Sequence, residues 1–277
     1  MKNQKSVNVP RALTTAATAA RAAGALMRKN WRSPKLVKAA SQYDIKLDLD
    51  VRCQRLIEKI LRAAFPQINL LAEEGDSGDV SLEYRWVVDP IDGTVNYAYG
   101  IPHAAVSIAL QKRQGKTYET LLGVIYEPFT DEIWTATKTS PARLNGRVIH
   151  TANRPKLADC IVTTGFAKSE ASLNEMLPFF GQLARNVRKV RMLGSAALAL
   201  TYVATGRLDA YIESRVNLWD IAAGALILER AGGEFWFEPF PGQPNVLRLI
   251  GNNGHIRKKL QALGLFKNKP GGKLTKF

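Results

Sequence analysis

The chain has 277 residues, 46% of them hydrophobic and 23% charged, which excludes disordered and collagen-like classes. No run approaches the roughly eighteen apolar residues of a membrane-spanning helix, and no charged-then-apolar leader with a small-residue cleavage site is visible. The formal charge of +15 sits at the ends: nine Lys and Arg precede Asp44 without an acid, seven more run from Arg257 onward, and the stretch between is about −1.

Such ends read as solvated segments, with weak contact to RNA or another polyanion as the alternative. The acid-free start has the composition of a transit peptide. However, Leu13, Ala17, Ala20, Gly24, Met27 and Trp31 form a helical apolar stripe, which predicts a first helix over residues 11–31 as part of the fold. A polar segment follows over 32–47. A second helix is expected from Asp50 to Phe65, where Pro66 stops it, with Glu58 and Arg62 paired on its wet side. Cys53 and Cys160 stand in no metal-ligand spacing and read as buried thiols of a reducing compartment, so a cytoplasmic protein is expected.

Strands are predicted at 85–88, 104–110, 122–126 and 132–136, separated by turns such as Glu127-Pro128 and Asn145-Gly146. Beyond about residue 140 the pattern mixes strands (161–164, 209–212, 234–237, 246–250) with helices (173–185, 195–204, 220–231). Gly232-Gly233 closes the third of these helices, and a basic helix ends the chain. This is a layered α/β architecture, expected to divide into an N-terminal part, 1–140, and a C-terminal part, 141–277.

The chemistry concentrates in Trp86-Val87-Val88-Asp89-Pro90-Ile91-Asp92-Gly93-Thr94-Val95-Asn96. A hydrophobic strand delivers Asp89, Pro90 is expected to end strand pairing, and Asp92 follows close enough for both carboxylates to face one point. Gly93 admits close backbone approach, and a helix starting here would aim the N–H groups of Gly93 and Thr94 at an anion. Glu73-Glu74 follow the apolar run 68–72, and Asp220 follows Leu218-Trp219. Singly, these read as turns, a wet loop and a helix cap. Together on strand-to-helix junctions they read as carboxylates that a divalent cation reconciles. Oxygen-only donors suit Mg2+, with Mn2+ possible, and not zinc.

Asp89-Pro-Ile-Asp-Gly-Thr resembles the DP(I/L)DGT signature of the inositol monophosphatase family. Trp219-Asp220-Ile-Ala-Ala-Gly with Glu229-Arg-Ala-Gly-Gly resembles its WDxAAG and AGG segment, and Glu73-Glu74 its acidic pair. The resemblance implies the αβαβα layered fold shared with fructose-1,6-bisphosphatases. It implies one metal on Glu73, Asp89 and the Ile91 carbonyl, a second on Asp89, Asp92 and Asp220, and a weaker third leaning on Glu73. Phosphate would bind Gly93 and Thr94, while Thr94 would share a proton with Asp50 and orient the attacking water.

Asn96 with Tyr97, together with Gly194-Ser195-Ala196 and Glu213 as polyol contacts, is similar to the inositol monophosphate subgroup. Fructose 1,6-bisphosphate and phosphoadenosine nucleotides are the alternative substrates, and a transcription-associated accessory protein the alternative of another class. A homodimer and lithium sensitivity are further implications. Leu47-Asp48-Leu49-Asp50 departs from the family's TxxD run. The loop lysine of the family corresponds to one of Lys35, Lys38 and Lys46. His103 stands where an aromatic is usual and reads as structural.

Overall fold

Helix α1 (Val9–Lys29) starts where the Asn8 side chain accepts the Arg11 N–H at 2.9 Å and Pro10 occupies the first turn. Its buried stripe of Ala12, Ala16, Ala19, Ala20, Ala23 and Met27 is mostly alanine, which lets the helix lie close on a sheet. Helix α2 (Asp48–Ala64) buries Leu49, Cys53, Ile57 and Leu61 and carries the Arg62–Glu58 pair at 2.8 Å. It begins two residues before Asp50, which occupies the third helical position. The polar stretch ahead of it is not irregular. It holds an antiparallel hairpin of β1 (Val37–Ala40) and β2 (Ile45–Leu47). The structure, a computed structural model, describes residues 7–40, 45–165, 170–240 and 242–264.

Seven strands form the first sheet in chain order: β3 (Asn69–Ala72), β4 (Tyr84–Asp92), β5 (Ala105–Gln114), β6 (Thr117–Glu127), β7 (Glu132–Thr137), β8 (Ser140–Leu144) and β9 (Arg147–Val148). Only β3 and β4 are parallel; each later pair is antiparallel. The short helix α3 (Thr94–Ala98) interrupts the β4-to-β5 connection. The sheet reaches Val148, past the division expected at residue 140.

The second sheet draws on β10 (Ile161–Gly165), β11 (Lys189–Arg191), β12 (Ala210–Asn217), β13 (Glu234–Phe240) and β14 (Gln243–Asn252), in the order β11-β10-β12-β14-β13. Helices α4 (Glu170–Asn186), α5 (Ala196–Ala204), α6 (Leu218–Arg230) and α7 (Arg257–Ala262) complete the chain.

Alternation along the strands builds the layers. Trp86 and Val88 of β4 face α1 and α2, in a core with Val106, Ile108, Val124 and Tyr126. Val87, Ala109 and Ile125 face the other way, onto α5 and α6, which also receive Tyr211, Leu247 and Leu249 of the second sheet. The outer face of that sheet packs Val162, Ile212 and Ile250 against Met176 and Phe179 of α4 and Leu260 of α7. The result is the five-layered αβαβα architecture. Helix α6 approaches β6 so closely that a Cβ at Gly123 would stand 2.9 Å from the Ala223 Cα. Among the described residues, no helix is long and apolar enough to cross a membrane.

Candidate metal and phosphate site

Strand β4 does not end at Pro90. It pairs with β5 through Asp89↔Ser107, skips, and resumes at Asp92↔Ala105. The proline falls in this bulge, where its missing N–H interrupts no ladder. The Asp89 carboxylate accepts the Ile91 N–H at 2.9 Å inside the bulge. Next door, β3 delivers Glu73, whose N–H donates to the Val88 carbonyl at 3.3 Å. Gln54 of α2 fixes the following loop, donating to the Gly75 carbonyl and accepting the Glu74 N–H.

Two further acids are set by helix starts. Asp220, third residue of α6, accepts the Asn217 N–H at 2.9 Å. Asp92 accepts the Ala197 and Ala196 N–H groups of α5 at 2.7 and 3.3 Å and the Ser195 hydroxyl as well. It therefore caps a helix that begins over a hundred residues later. Carboxylate oxygens of Asp89, Asp92 and Asp220 lie within 4.8 Å of one another.

Such a cluster resists ionisation. Burial, then the charge of Asp220, pushes Glu73 up to about 8. Burial and Asp92 push Asp220 up to about 8. Asp89 is held well above the carboxylate range by burial and three acidic neighbours. Asp92 rises only to about 6, because the α5 N–H groups and Ser195 oppose its burial. A divalent cation removes both burial cost and repulsion, and the donor set is oxygen only, so these residues fit Mg2+ or Mn2+.

Beside the acids, Gly93 takes φ +92°, and a Cβ there would stand 2.9 Å from the His103 carbonyl and 3.2 Å from that of Gly194. Only glycine fits this turn into α3. Asn96 locks it, its amide donating to the carbonyls of His103 at 2.9 Å and Leu193 at 2.8 Å.

The Thr94 hydroxyl donates to the Ile91 carbonyl at 2.8 Å, not to Asp50. Asp50 instead accepts the Leu47 N–H at 2.6 Å through one oxygen, and its other oxygen is buried without a partner among the described residues. Burial raises its carboxyl to about 8, with Glu73 and Glu74 adding to the effect.

Of the three lysines, Lys46 on β2 meets the acids. It pairs with Glu74, and that partnership, reinforced by Glu73 and Asp50, raises its pKa. Lys38 pairs with Asp48 at 3.1 Å, and Lys35 donates to the Asn30 carbonyl at 2.8 Å. His103 packs edge-on against Tyr202, and burial lowers its pKa.

Of the clustered acids, Asp220 lines a cavity of about 500 Å³. Gly194, Ser195, Ala196 and Glu213 line it as the sequence suggested, but the Ser195 hydroxyl and the Ala196 N–H are directed at Asp92. Glu213 accepts the Tyr211 hydroxyl at 3.2 Å, in space that a side chain at Gly165 would fill. Burial raises Glu213 to about 8. Sequence reasoning missed the Ser195–Asp92 and Asn96 bonds. The available signal was Gly194-Ser195 ahead of a helical run, which marks an N-cap without revealing what else the serine holds.

The chain matches the profile of the inositol monophosphatase family over residues 10–253. It is 36% identical over 225 residues to "Nus factor SuhB" of Escherichia coli K12, covering 80% of this chain and 83% of that protein. It is 35% identical over 216 residues to a "Fructose-1,6-bisphosphatase/inositol-1-monophosphatase" of Thermotoga maritima, covering 77% and 79%. The solved inositol monophosphatase of Anabaena superposes with a TM-score of 0.80 at 33% identity, covering 93% of this chain and 96% of that one.

Proposed function

Because the chain belongs to the inositol monophosphatase family, we propose that it is a Mg2+-dependent hydrolase of small phosphate monoesters, with inositol monophosphate as substrate. The observation that carries this reading is the carboxylate cluster of Asp89, Asp92 and Asp220, the last of which lines a cavity large enough for a phosphorylated polyol. Glu73, Asp89 and the Ile91 carbonyl would hold one ion, and Asp89, Asp92 and Asp220 a second. Bound Mg2+ supplies a Lewis acid that acidifies water and neutralises phosphate charge.

The chain's own groups do the rest. Gly93 and Thr94 present main-chain N–H groups to the phosphate at the start of α3. Thr94 and Asp50 flank the position from which water attacks, and Asp50, whose second oxygen has no partner among the described residues, carries the proton that it shares with Thr94. Gly194, Ser195 and Ala196 shape the polyol side, and Glu213 accepts hydroxyl hydrogens. A homodimer, lithium inhibition and a cytoplasmic location belong to the same proposal.

The test is phosphate release from inositol 1-phosphate, fructose 1,6-bisphosphate and phosphoadenosine phosphate, with Mg2+ or chelator, for wild type and Asp92→Asn. Metal-dependent release abolished by the substitution supports the reading; release that survives chelation sinks it. A second reading rests on the basic ends and on relatives named "Nus factor SuhB": an accessory protein of the transcription machinery. It requires Asp92→Asn to keep its biological effect, and salt-sensitive RNA binding to be lost on trimming residues 257–277.

A further inference from the structure

The β1–β2 hairpin brings a cation to the outer side of the acid cluster. Lys46 stands on β2, where pairing with Ala39 of β1 fixes its main chain. Its ammonium pairs with the Glu74 carboxylate and lies within electrostatic reach of Glu73 and Asp50. The Glu74 side chain is 4% exposed and that of Lys46 40%, so the ammonium covers a nearly buried carboxylate from the solvent side. Glu74 has little room to turn away. Gln54 accepts its N–H at 3.0 Å and donates to the next carbonyl, that of Gly75, at 2.9 Å. Lys35 and Lys38 are engaged elsewhere, at the end of α1 and on Asp48.

Charge balance explains why the pair forms. Two divalent ions would neutralise the carboxylates of Glu73, Asp89, Asp92 and Asp220. Asp50 holds the Leu47 N–H and, in the reading above, shares a proton with Thr94. Glu74 is the acid left over, and a carboxylate so far out of water needs a partner. An ammonium tethered to the chain supplies one without recruiting an ion from solution. The same ammonium opposes any divalent cation that approaches Glu73 from this side, because like charges a few ångströms apart repel even where water screens them in part.

We propose that Lys46 takes the place of a third divalent ion on the Glu73–Glu74 side, so that this chain holds two ions where the family resemblance implies three. This rests on the metal-dependent reading above. Lys46 sets how many ions bind, and Gln54 keeps Glu74 where the ammonium can reach it.

The experiment counts Mn2+ ions held per chain at saturation, by equilibrium dialysis with inorganic phosphate present, for wild type, Lys46→Arg and Lys46→Met. It needs no turnover, and melting temperatures verify that each protein is folded. The proposal expects two ions on wild type and on Lys46→Arg. It expects three on Lys46→Met, with affinity for the third raised at least about tenfold once the opposing charge is gone. Three ions on wild type overturn the proposal without recourse to a variant, and so does a count of two in all three proteins. Either result leaves the phosphatase reading standing. No ion on wild type would mean that the acids hold no metal, which sinks that reading and this inference together.

Discussion

The two sides of the cavity are held by different means. On the acid side, carboxylates are fixed by main-chain N–H groups: Asp92 by α5, Asp220 by Asn217, Asp89 by Ile91, Asp50 by Leu47. On the β12 side, side chains take a larger part: Glu213 accepts the Tyr211 hydroxyl besides the Ser214 and Arg215 N–H groups, and Arg215 is held by Gln243 and Phe240. Main-chain donors cannot be exchanged by substitution, so the acid side is rigid and tolerates little. Side-chain anchors can be replaced one at a time, so the other side is where substrate choice can drift without disturbing the chemistry.

The largest expected effect tests the acid side. Asp92→Asn should lower Mg2+-dependent phosphate release by at least about 100-fold, measured on inositol 1-phosphate. Because an amide oxygen can still accept the Ala197 N–H and the Ser195 hydroxyl, the shorter contacts on one Asp92 oxygen, melting temperature should move little. A large drop in stability with activity retained would break the comparison.

Next is the hydroxyl that joins α5 to the acids. Ser195→Ala should weaken Mg2+ binding by about tenfold, as loss of a hydrogen bond to a ligand typically does, read by calorimetry. If Ser195 mattered only as a polyol contact, metal affinity would stay and KM alone would rise.

A third expectation follows from the raised carboxyls. Glu73 and Asp220 sit near 8 in the folded protein, above their ordinary values of 4.5 and 3.8. In that window the folded state binds more protons than the unfolded chain. Their contribution to stability is therefore full at low pH and is lost as pH rises through about 8. The melting temperature of chelator-treated protein should fall from pH 5 to pH 8.5, and the stabilisation by Mg2+ should grow over the same interval. A metal-free melting temperature that rises across this range would refute the account.

The smallest effect belongs to the β12 side. Glu213→Gln should raise KM for inositol 1-phosphate by about threefold to tenfold, the scale of one ordinary hydrogen bond, with kcat nearly unchanged. An equal loss in kcat would place Glu213 with the acids.

The same contrast explains what could be read in advance. Asp89, Asp92 and Asp220 were visible because each stands in a local pattern, at a strand end or in the first turn of a helix. Arg215 follows Tyr211 and Glu213 at every second position of β12, so alternation put it on their face, but which cavity that face lines was not in the sequence. Pro90 was misjudged: its missing N–H argued against strand pairing, and a bulge absorbed it. Which of Lys35, Lys38 and Lys46 meets the acids could not be read until the β1–β2 hairpin set Lys46 against Glu74.

By itself, the sequence determined the helices with their buried stripes, the strands with their alternation, and the motif acids. Periodicity and capping act over a few residues, so a linear pattern records them. Only the tertiary structure decided that Asp92 caps a helix starting at residue 196, that Asp50 bonds Leu47 while Thr94 bonds Ile91, and that Arg215 borders the cavity. Those outcomes depend on how two sheets and the helices between them come together. Contacts between residues a hundred positions apart follow from the packing of whole layers, which no local spacing encodes.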